Sequence, residues 1–254
     1  MKKLIRFVLR HVPRKYIQRV VHFCTPVMGL MYAGRGVECP VCGSRYRKFM
    51  PYGYVAPREN ALCPHCLALE RHRLLWLFLQ NETDFFEAPA RLLHVAPEYC
   101  FIRRFGRLPR LDYVTADLES PLADVKMDIQ HIPFADGEFD IIFCNHILEH
   151  VEDDRLAMRE MYRVMRPGGW GIMLSPVNPA RETTYEDPTI TDPVEREAHF
   201  GQKDHLRDYG LDYGKRLAEA GFEVDEIDYI RYLDPEAAKL YGLRSEIVYR
   251  VRKA

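Results

Sequence analysis

Two C-x-x-C pairs, Cys39/Cys42 and Cys63/Cys66, stand twenty residues apart in the stretch CPVCGSRYRKFMPYGYVAPRENALCPHC. No other feature of the chain constrains its folding as tightly, because four thiolates at this spacing can close the backbone on one point. Four soft sulfur donors make the tetrahedral shell that Zn2+ prefers, and a shell with no open position is structural rather than catalytic. The Cys-Pro-x-Cys-Gly order of the first pair lets backbone amides turn toward the sulfurs. Two redox-active C-x-x-C motifs, or two disulfides, would use the same residues. Disulfides need an oxidising compartment. Arg6, Arg10, His11 and Pro13 interrupt any apolar leader after Met1-Lys2-Lys3, so no secretory leader is expected and structural zinc is the expected occupant. His65, between two ligands, reads as a bystander. Cys24, Cys100 and Cys144 are isolated and read as buried free thiols.

The net charge of −1 hides an asymmetry. Residues 1–75 carry fourteen Lys and Arg against three acids, and the remaining residues carry twenty-two against thirty-four. Opposite signs in two regions suggest two modules. The basic one suits phosphate, in RNA or in anionic lipid, and suits equally its own acidic partner domain. Residues 1–37 contain no acid, and Leu4, Phe7, Val8 and Val12, then Tyr16, Ile17, Val20 and Val21, recur at helical spacing. Such basic amphipathic helices either pack on the protein body or lie on a membrane surface. No apolar run reaches the ~18 residues a spanning helix needs, since Val20–Gly34 contains Pro26 and Gly29. The expectation is a cytoplasmic protein without a transmembrane segment, with peripheral contact at the inner membrane surface as an option. LALERHRLLWLFLQ, after Cys66, reads as a bridging helix whose Glu70, Arg71 and Arg73 either pair with surface acids or face a ligand carboxylate.

From residue 91 strand and helix patterns alternate, which implies an α/β fold with a mostly parallel sheet. Leu92–Val95, LDYVTAD, VKMDI, Phe139–Cys144 and WGIMLSPV read as strands. Asp136–Gly137 reads as a turn, and RPGG at 166–169 as the end of a helix whose buried face carries Ala157, Met161, Val164 and Met165. GFEVDEIDYI and SEIVYRVRK supply two late strands. Asp117 lies twenty-two residues after Val95, close to the ~20-residue interval at which an acid meets a ribose diol. Asp128 follows where a carboxylate would accept from an adenine amino group. Asn145 and His146 end the fourth strand, at the edge where open α/β sheets bind ligands. The turn after the first strand, Ala96–Pro97–Glu98, lacks the usual glycines.

VKMDIQHIPFADGEFDIIFCNHILEHVEDDRLAMREMYRVMRPGGWGIMLSPV closely resembles the class I S-adenosylmethionine-dependent methyltransferases. The resemblance rests on the acid before HIPF, on FDIIFCNHILEHV and on EMYRVMRPGG. The four cysteines with LERHR, LHVAPE and FGQKDHLRDYG further resemble an uncharacterised bacterial subgroup of that family. It implies a Rossmann-like class I sheet with the last strand antiparallel and a small N-terminal zinc module. The organisation is then a basic segment 1–37, a zinc module with connecting helix 38–80, and a methyltransferase domain 81–254 with an acceptor-side insertion 178–210. The resemblance assigns S-adenosylmethionine contacts to Val95, Ala96, Glu98, Asp117, Leu118, Asp128, Ile129, Asn145 and His146. His94 takes the place of the family's usual acid, and Glu98 is positioned to restore it toward the cofactor's amino group.

Methyl transfer mainly requires positioning, with a base for a neutral oxygen or nitrogen. His146 and His205 are the candidate bases, His205 paired with Asp204, and His150 reads as a hydrogen-bonding residue. Tyr185, His199, Asp204, His205 and Arg207 are the candidate substrate residues, Arg207 for an anionic group. A polar surface lid is the alternative reading of this insertion. Asn145 is followed by His146–Ile147–Leu148, unlike the Asn-Pro-Pro-Tyr of amino-group nucleic-acid methylation. A small-molecule, sugar or lipid-linked acceptor is therefore the first expectation. An RNA acceptor held by the basic zinc module is the second. The third is a non-catalytic zinc-dependent interaction protein on a degenerate scaffold.

Overall fold

The computed structural model describes residue 25 and residues 27–53 and 57–254. The basic helices expected within 1–21, and Cys24, lie outside the described residues. The described chain forms two compact units. The first runs to Phe86 and includes Glu98–Arg104 and Tyr229–Glu246; the second holds Glu87–Pro97, Phe105–Asp228 and Ile247–Ala254. The cysteine-bearing unit thus extends to Phe86 and takes in two later stretches.

In the first unit β1 (Ala33–Glu38) pairs antiparallel with β2 (Arg45–Tyr46), and β3 (Met50–Tyr52) with β4 (Arg58–Leu62). Helix α1 (Glu70–Glu82) follows; its run holds neither Gly nor Pro and buries Leu74, Leu75, Leu77, Phe78 and Leu79. The Leu69 amide donates to His72 Nδ1 at 3.2 Å, which satisfies one of the amides at the helix start. Thr83 closes the other end, its hydroxyl donating to the Leu79 carbonyl at 2.7 Å.

The second unit is built on a seven-stranded sheet. In chain order it contains β5 (Ala90–Val95), then helix α2 (Tyr99–Phe105), whose last residue alone belongs to this unit, then β6 (Leu111–Asp117), β7 (Val125–Lys126) and β8 (Phe139–Cys144). Helix α3 (Asp154–Val164) and β9 (Met165–Ile172) follow. Next come β10 (Tyr185–Glu186), α4 (Pro193–Phe200), β11 (Arg207–Asp208), α5 (Tyr213–Glu219), β12 (Glu223–Ile227) and β13 (Val248–Arg252). The strand order is β12-β13-β9-β8-β5-β6-β7. β5 pairs parallel with β6 and β8, and β8 with β9, whereas β13 runs antiparallel to both neighbours. This is the sheet expected from the sequence, with the last strand reversed. Residues 92–95 are all buried, as a central parallel strand covered on both faces requires. Leu93, Val95, Ile142, Met158, Met161 and Tyr249 share one continuous core.

RPGG differs from its expected role. Helix α3 stops at Val164 and the chain enters β9 at once, so these residues do not cap the helix. The register jumps from Phe139↔Met165 to Ile141↔Trp170, so Arg166–Gly169 bulge out of the ladder. Gly168 sits there at φ 77°, a left-handed conformation that glycine adopts without steric cost. The Asp136–Gly137 turn is present, with Gly137 at φ 66°. Among the described residues no helix is long and apolar enough to cross a membrane.

Candidate functional site

The four cysteines of the first unit converge. Cys39 Sγ lies 3.6 Å from Cys66 Sγ and Cys42 Sγ lies 3.7 Å from Cys63 Sγ, and all four sulfurs fall within 4.8 Å of one another. Disulfide sulfurs stand about 2.05 Å apart, so neither pair is bonded. Four sulfurs about 2.3 Å from one zinc stand about 3.8 Å apart, so the donor set fits that ion. The backbone prepares both halves alike. Gly43 N–H donates to the Cys39 carbonyl at 2.8 Å and Leu67 N–H to the Cys63 carbonyl at 3.0 Å. The residue after each second cysteine is left-handed, Gly43 at φ 69° and Leu67 at φ 61°.

Arg73 does not face a ligand. It is fully buried and gives its guanidinium to four carbonyls: Ala61 at 2.8 Å, Ala68 at 2.9 Å, Tyr241 at 2.6 Å and Gly242 at 2.8 Å. Burial pulls its pKa down, opposed by Cys39, Glu70 and the other thiolates. Glu70 pairs with Arg58 at 3.0 Å. The charged start of α1 therefore organises the cysteine unit itself.

In the second unit the parallel strands present their carboxyl ends along one edge. Val95 is in register with Ala116 and Cys144, so Asp117, Ala96 and Asn145 follow at the ends of three adjacent strands. Strands lie about 4.8 Å apart, so the row spans about 10 Å. β5 sends its following strand to one side and β8 lies on its other side, the switch point where open α/β sheets bind ligands. Ala96 adopts φ 45°. The turn lacks glycine, yet its backbone takes a conformation that glycine usually supplies. A left-handed L-residue costs about 1–2 kcal/mol, more than the entropy glycine adds. Ala96→Gly should therefore leave the thermal midpoint equal or higher, and a loss of about 1 kcal/mol, usual for this exchange elsewhere, would contradict the assignment.

Asp117 Oδ1 accepts the amides of Glu119 at 2.8 Å and Ser120 at 2.7 Å, which fixes the carboxylate through that oxygen. Asp128 turns toward Gln130, accepting its amide at 2.9 Å. Ile129 is buried and Leu118 is exposed. Asn145 Oδ1 takes the Leu174 amide at 3.4 Å, and His146 stands at φ 56° with its amide on the Leu174 carbonyl at 2.8 Å. Glu98 belongs to the first unit, and its carbonyl accepts the amides of Phe101 and Ile102 at the start of α2. His94 is a core residue. It is fully buried, with Nδ1 2.9 Å from the Tyr113 hydroxyl and its ring packed against Phe105 and Phe143.

The insertion is less superficial than its polarity suggests: Phe200, His205, Arg207 and Tyr209 are buried. Arg207 donates to the carbonyls of Leu148, Val151 and Glu152 and to the Glu186 carboxylate, so its guanidinium is committed to the fold rather than to an anionic substrate. Tyr185 and His199 meet at 3.1 Å on the surface. Asp204 serves His150, not the ring nitrogen expected on His205: the Asp204 carbonyl is 3.0 Å from His150 Nδ1, while His205 Nδ1 is 3.1 Å from the Phe200 carbonyl. Burial and His150 hold His205 below its ordinary pKa. Glu149 is buried, accepts from Ser175 Oγ at 2.8 Å and lies 3.7 Å from His146 Nδ1. Burial pushes its carboxyl up, but His146 and Ser175 outweigh that and leave it below the ordinary value. Sequence reasoning passed over Glu149, whose signal was its place between His146 and His150.

Residues 102–173 match a family model described as a methyltransferase domain. With the reversed last strand of the sheet, this match makes the second unit similar to the class I S-adenosylmethionine-dependent methyltransferases. The chain is 27% identical over 146 residues to the ubiquinone/menaquinone biosynthesis C-methyltransferase UbiE of Haemophilus ducreyi, a match covering 58% of this chain and 44% of that protein. It is 25% identical over 130 residues to the tRNA U34 carboxymethyltransferase of Nautilia profundicola, covering 51% and 40%. The chain therefore spans less than half the length of these curated relatives. Among solved structures, that of the [4+2]-cyclase SpnF shares the fold at 15% identity and a TM-score of 0.51, covering 93% of this chain and 96% of that one. A methyltransferase-domain fold alone does not fix the reaction.

Proposed function

We propose that the methyltransferase domain moves the methyl group of S-adenosylmethionine to an oxygen or nitrogen of a small-molecule, sugar or lipid-linked acceptor, and that the four cysteines hold a structural zinc. The observation that carries the first part is Asp117. Its carboxylate is fixed through Oδ1 and presents Oδ2 one strand from the left-handed Ala96. S-adenosylmethionine, when bound, supplies a methyl group already activated on a sulfonium. The protein's work is then to position. Asp117 Oδ2 accepts from ribose hydroxyls, Val95 and Ala96 admit the cofactor to the backbone, and Leu118, Asp128 and Ile129 hold the base. Asn145 and His146 border the reacting end, with His146 as the base that takes the acceptor's proton. Tyr185, His199 and Asp204 form the acceptor side; Arg207 is left out because its donors are committed.

Asp117→Ala removes a charge-assisted acceptor, worth about 1.5–3 kcal/mol. Calorimetric titration with S-adenosylmethionine should show affinity falling about tenfold to a hundredfold in a folded variant. Unchanged affinity would refute the Asp117 role. Absence of binding by the wild type would favour a non-catalytic scaffold. An RNA acceptor is the second reading, favoured by the fourteen basic residues against three acids in 1–75 and by the tRNA-modifying relative. RNA binding that weakens steeply with salt would support it.

A further inference from the structure

Within the methyltransferase domain we propose a second metal site: Glu149, His150 and His205 hold one divalent transition-metal ion through a carboxylate oxygen and two imidazole nitrogens, with positions left open for water or a hydroxyl-bearing acceptor. One ligating atom from each residue lies within 4.8 Å of the others. Ligands about 2.0–2.2 Å from a shared ion stand about 3–4 Å apart, so a small side-chain adjustment closes the site.

The supports around the three residues are those a metal site uses. His150 Nδ1 is 3.0 Å from the Asp204 carbonyl and His205 Nδ1 is 3.1 Å from the Phe200 carbonyl. A carbonyl only accepts, so each Nδ1 donates, and Nε2 is the nitrogen left for a metal. Metal-bound histidines are oriented in this way, with the other ring N–H anchored on a carbonyl or carboxylate. Ser175 Oγ holds Glu149 Oε2 at 2.8 Å. The two segments that carry the ligands are tied together: the Leu206 amide donates to the Glu149 carbonyl at 2.8 Å, and Arg207 donates to the carbonyls of Leu148 and Val151. Glu149 and His205 are buried while His150 keeps 32% of its side chain exposed, which leaves an entry from solvent. Two nitrogens with one oxygen suit Fe2+, Co2+ or Zn2+ better than Ca2+.

The chemical consequence rests on the methyl-transfer reading. A metal ion with open positions acts as a Lewis acid and lowers the pKa of a bound hydroxyl. His146 Nδ1, 3.7 Å from Glu149 Oε1, lies beside the site to take that proton. The favoured acceptor is therefore a hydroxyl compound. The oxygen forms a bond to the methyl carbon, the carbon–sulfur bond breaks with its electron pair to sulfur, and the proton leaves to His146.

Metal binding is testable without methyl transfer. Co2+ titrated into the full chain, already loaded with zinc at the cysteines, should bind at one equivalent. It should give weak visible bands without the intense near-ultraviolet absorption of sulfur-bound cobalt. His150→Ala, whose ring is partly exposed, should weaken binding at least tenfold without unfolding the chain, and Glu149→Gln and His205→Ala should do likewise. Ser175→Ala, a positioning change, gives a smaller loss of affinity and keeps the site testable if His205→Ala does not fold. No saturable binding of Co2+, Mn2+ or Zn2+ by the wild type, sulfur-type absorption, or equal affinity in His150→Ala and Glu149→Gln would overturn the proposal. Binding that survives while S-adenosylmethionine fails to bind would count against the methyl-transfer reading alone.

Discussion

Cys63→Ser should release the proposed zinc and unfold the cysteine-bearing part of the first unit. A closed four-sulfur site contributes about 10–16 kcal/mol of apparent binding free energy at neutral pH, comparable to or larger than the whole stability of a domain. The strands of this region are short. β2 has two residues and β3 has three, and an isolated two-stranded hairpin is marginal in water. The thiolates of Cys39, Cys63 and Cys66 also favour the buried charge on Arg73. A guanidinium buried among four carbonyls is tolerable beside a zinc–thiolate centre of net negative charge, and costly beside neutral thiols. Loss of the metal therefore removes the cross-link and strands the cation together. Metal analysis should fall from one zinc per chain to near none, and limited proteolysis should cut this region faster in the variant than in the wild type. Metal-free Cys63→Ser that keeps wild-type protease resistance would show that the cysteines are dispensable for the fold.

Much of this architecture was legible in the sequence because its signals are local. The cysteine spacing, the apolar run Phe139–Cys144 and the interval from Val95 to Asp117 each report on one turn or one strand, and the structure has the corresponding elements. Charged residues whose partners are backbone carbonyls were not legible. Arg73 and Arg207 look like ligand-binding cations in sequence, yet each donates to carbonyls that only the folded chain brings near. Position 96 shows another limit: the absence of glycine describes the side chain, not φ. Glu149 and His205 are fifty-six positions apart, and their meeting depends on the insertion folding back onto the Leu148–His150 turn, a long-range event without a local pattern.

Asp154→Ala should cost the methyltransferase domain about 3–5 kcal/mol, the range for removing one member of a buried charge cluster. Asp154 is buried, and its Oδ2 accepts from Tyr209 Oη at 2.7 Å and Arg216 at 2.7 Å, with Arg207 Nε at 3.8 Å. The nearest remaining carboxylate to both buried guanidiniums is then Glu186, which bonds Arg216 at 2.5 Å and Arg207 at 3.1 Å but is 40% exposed, with Asp212 3.9 Å from Arg216. Water screens that pairing, so Glu186 compensates only in part. The neighbouring acid supplies the control. Asp153 caps α3 by accepting the Leu156 amide at 2.8 Å, and loss of a cap costs about 1 kcal/mol. Denaturant unfolding of the two alanine variants should therefore separate adjacent carboxylates by at least about 2 kcal/mol. Asp154→Asn should fall between them, since the amide oxygen keeps the tyrosine hydrogen bond and loses the charge. The effect should also reach beyond stability, because Arg207 ties the insertion to the turn that carries Glu149 and His150. Equal, small losses for Asp153→Ala and Asp154→Ala would mean that the arginines find other partners and that the cluster does not anchor the insertion.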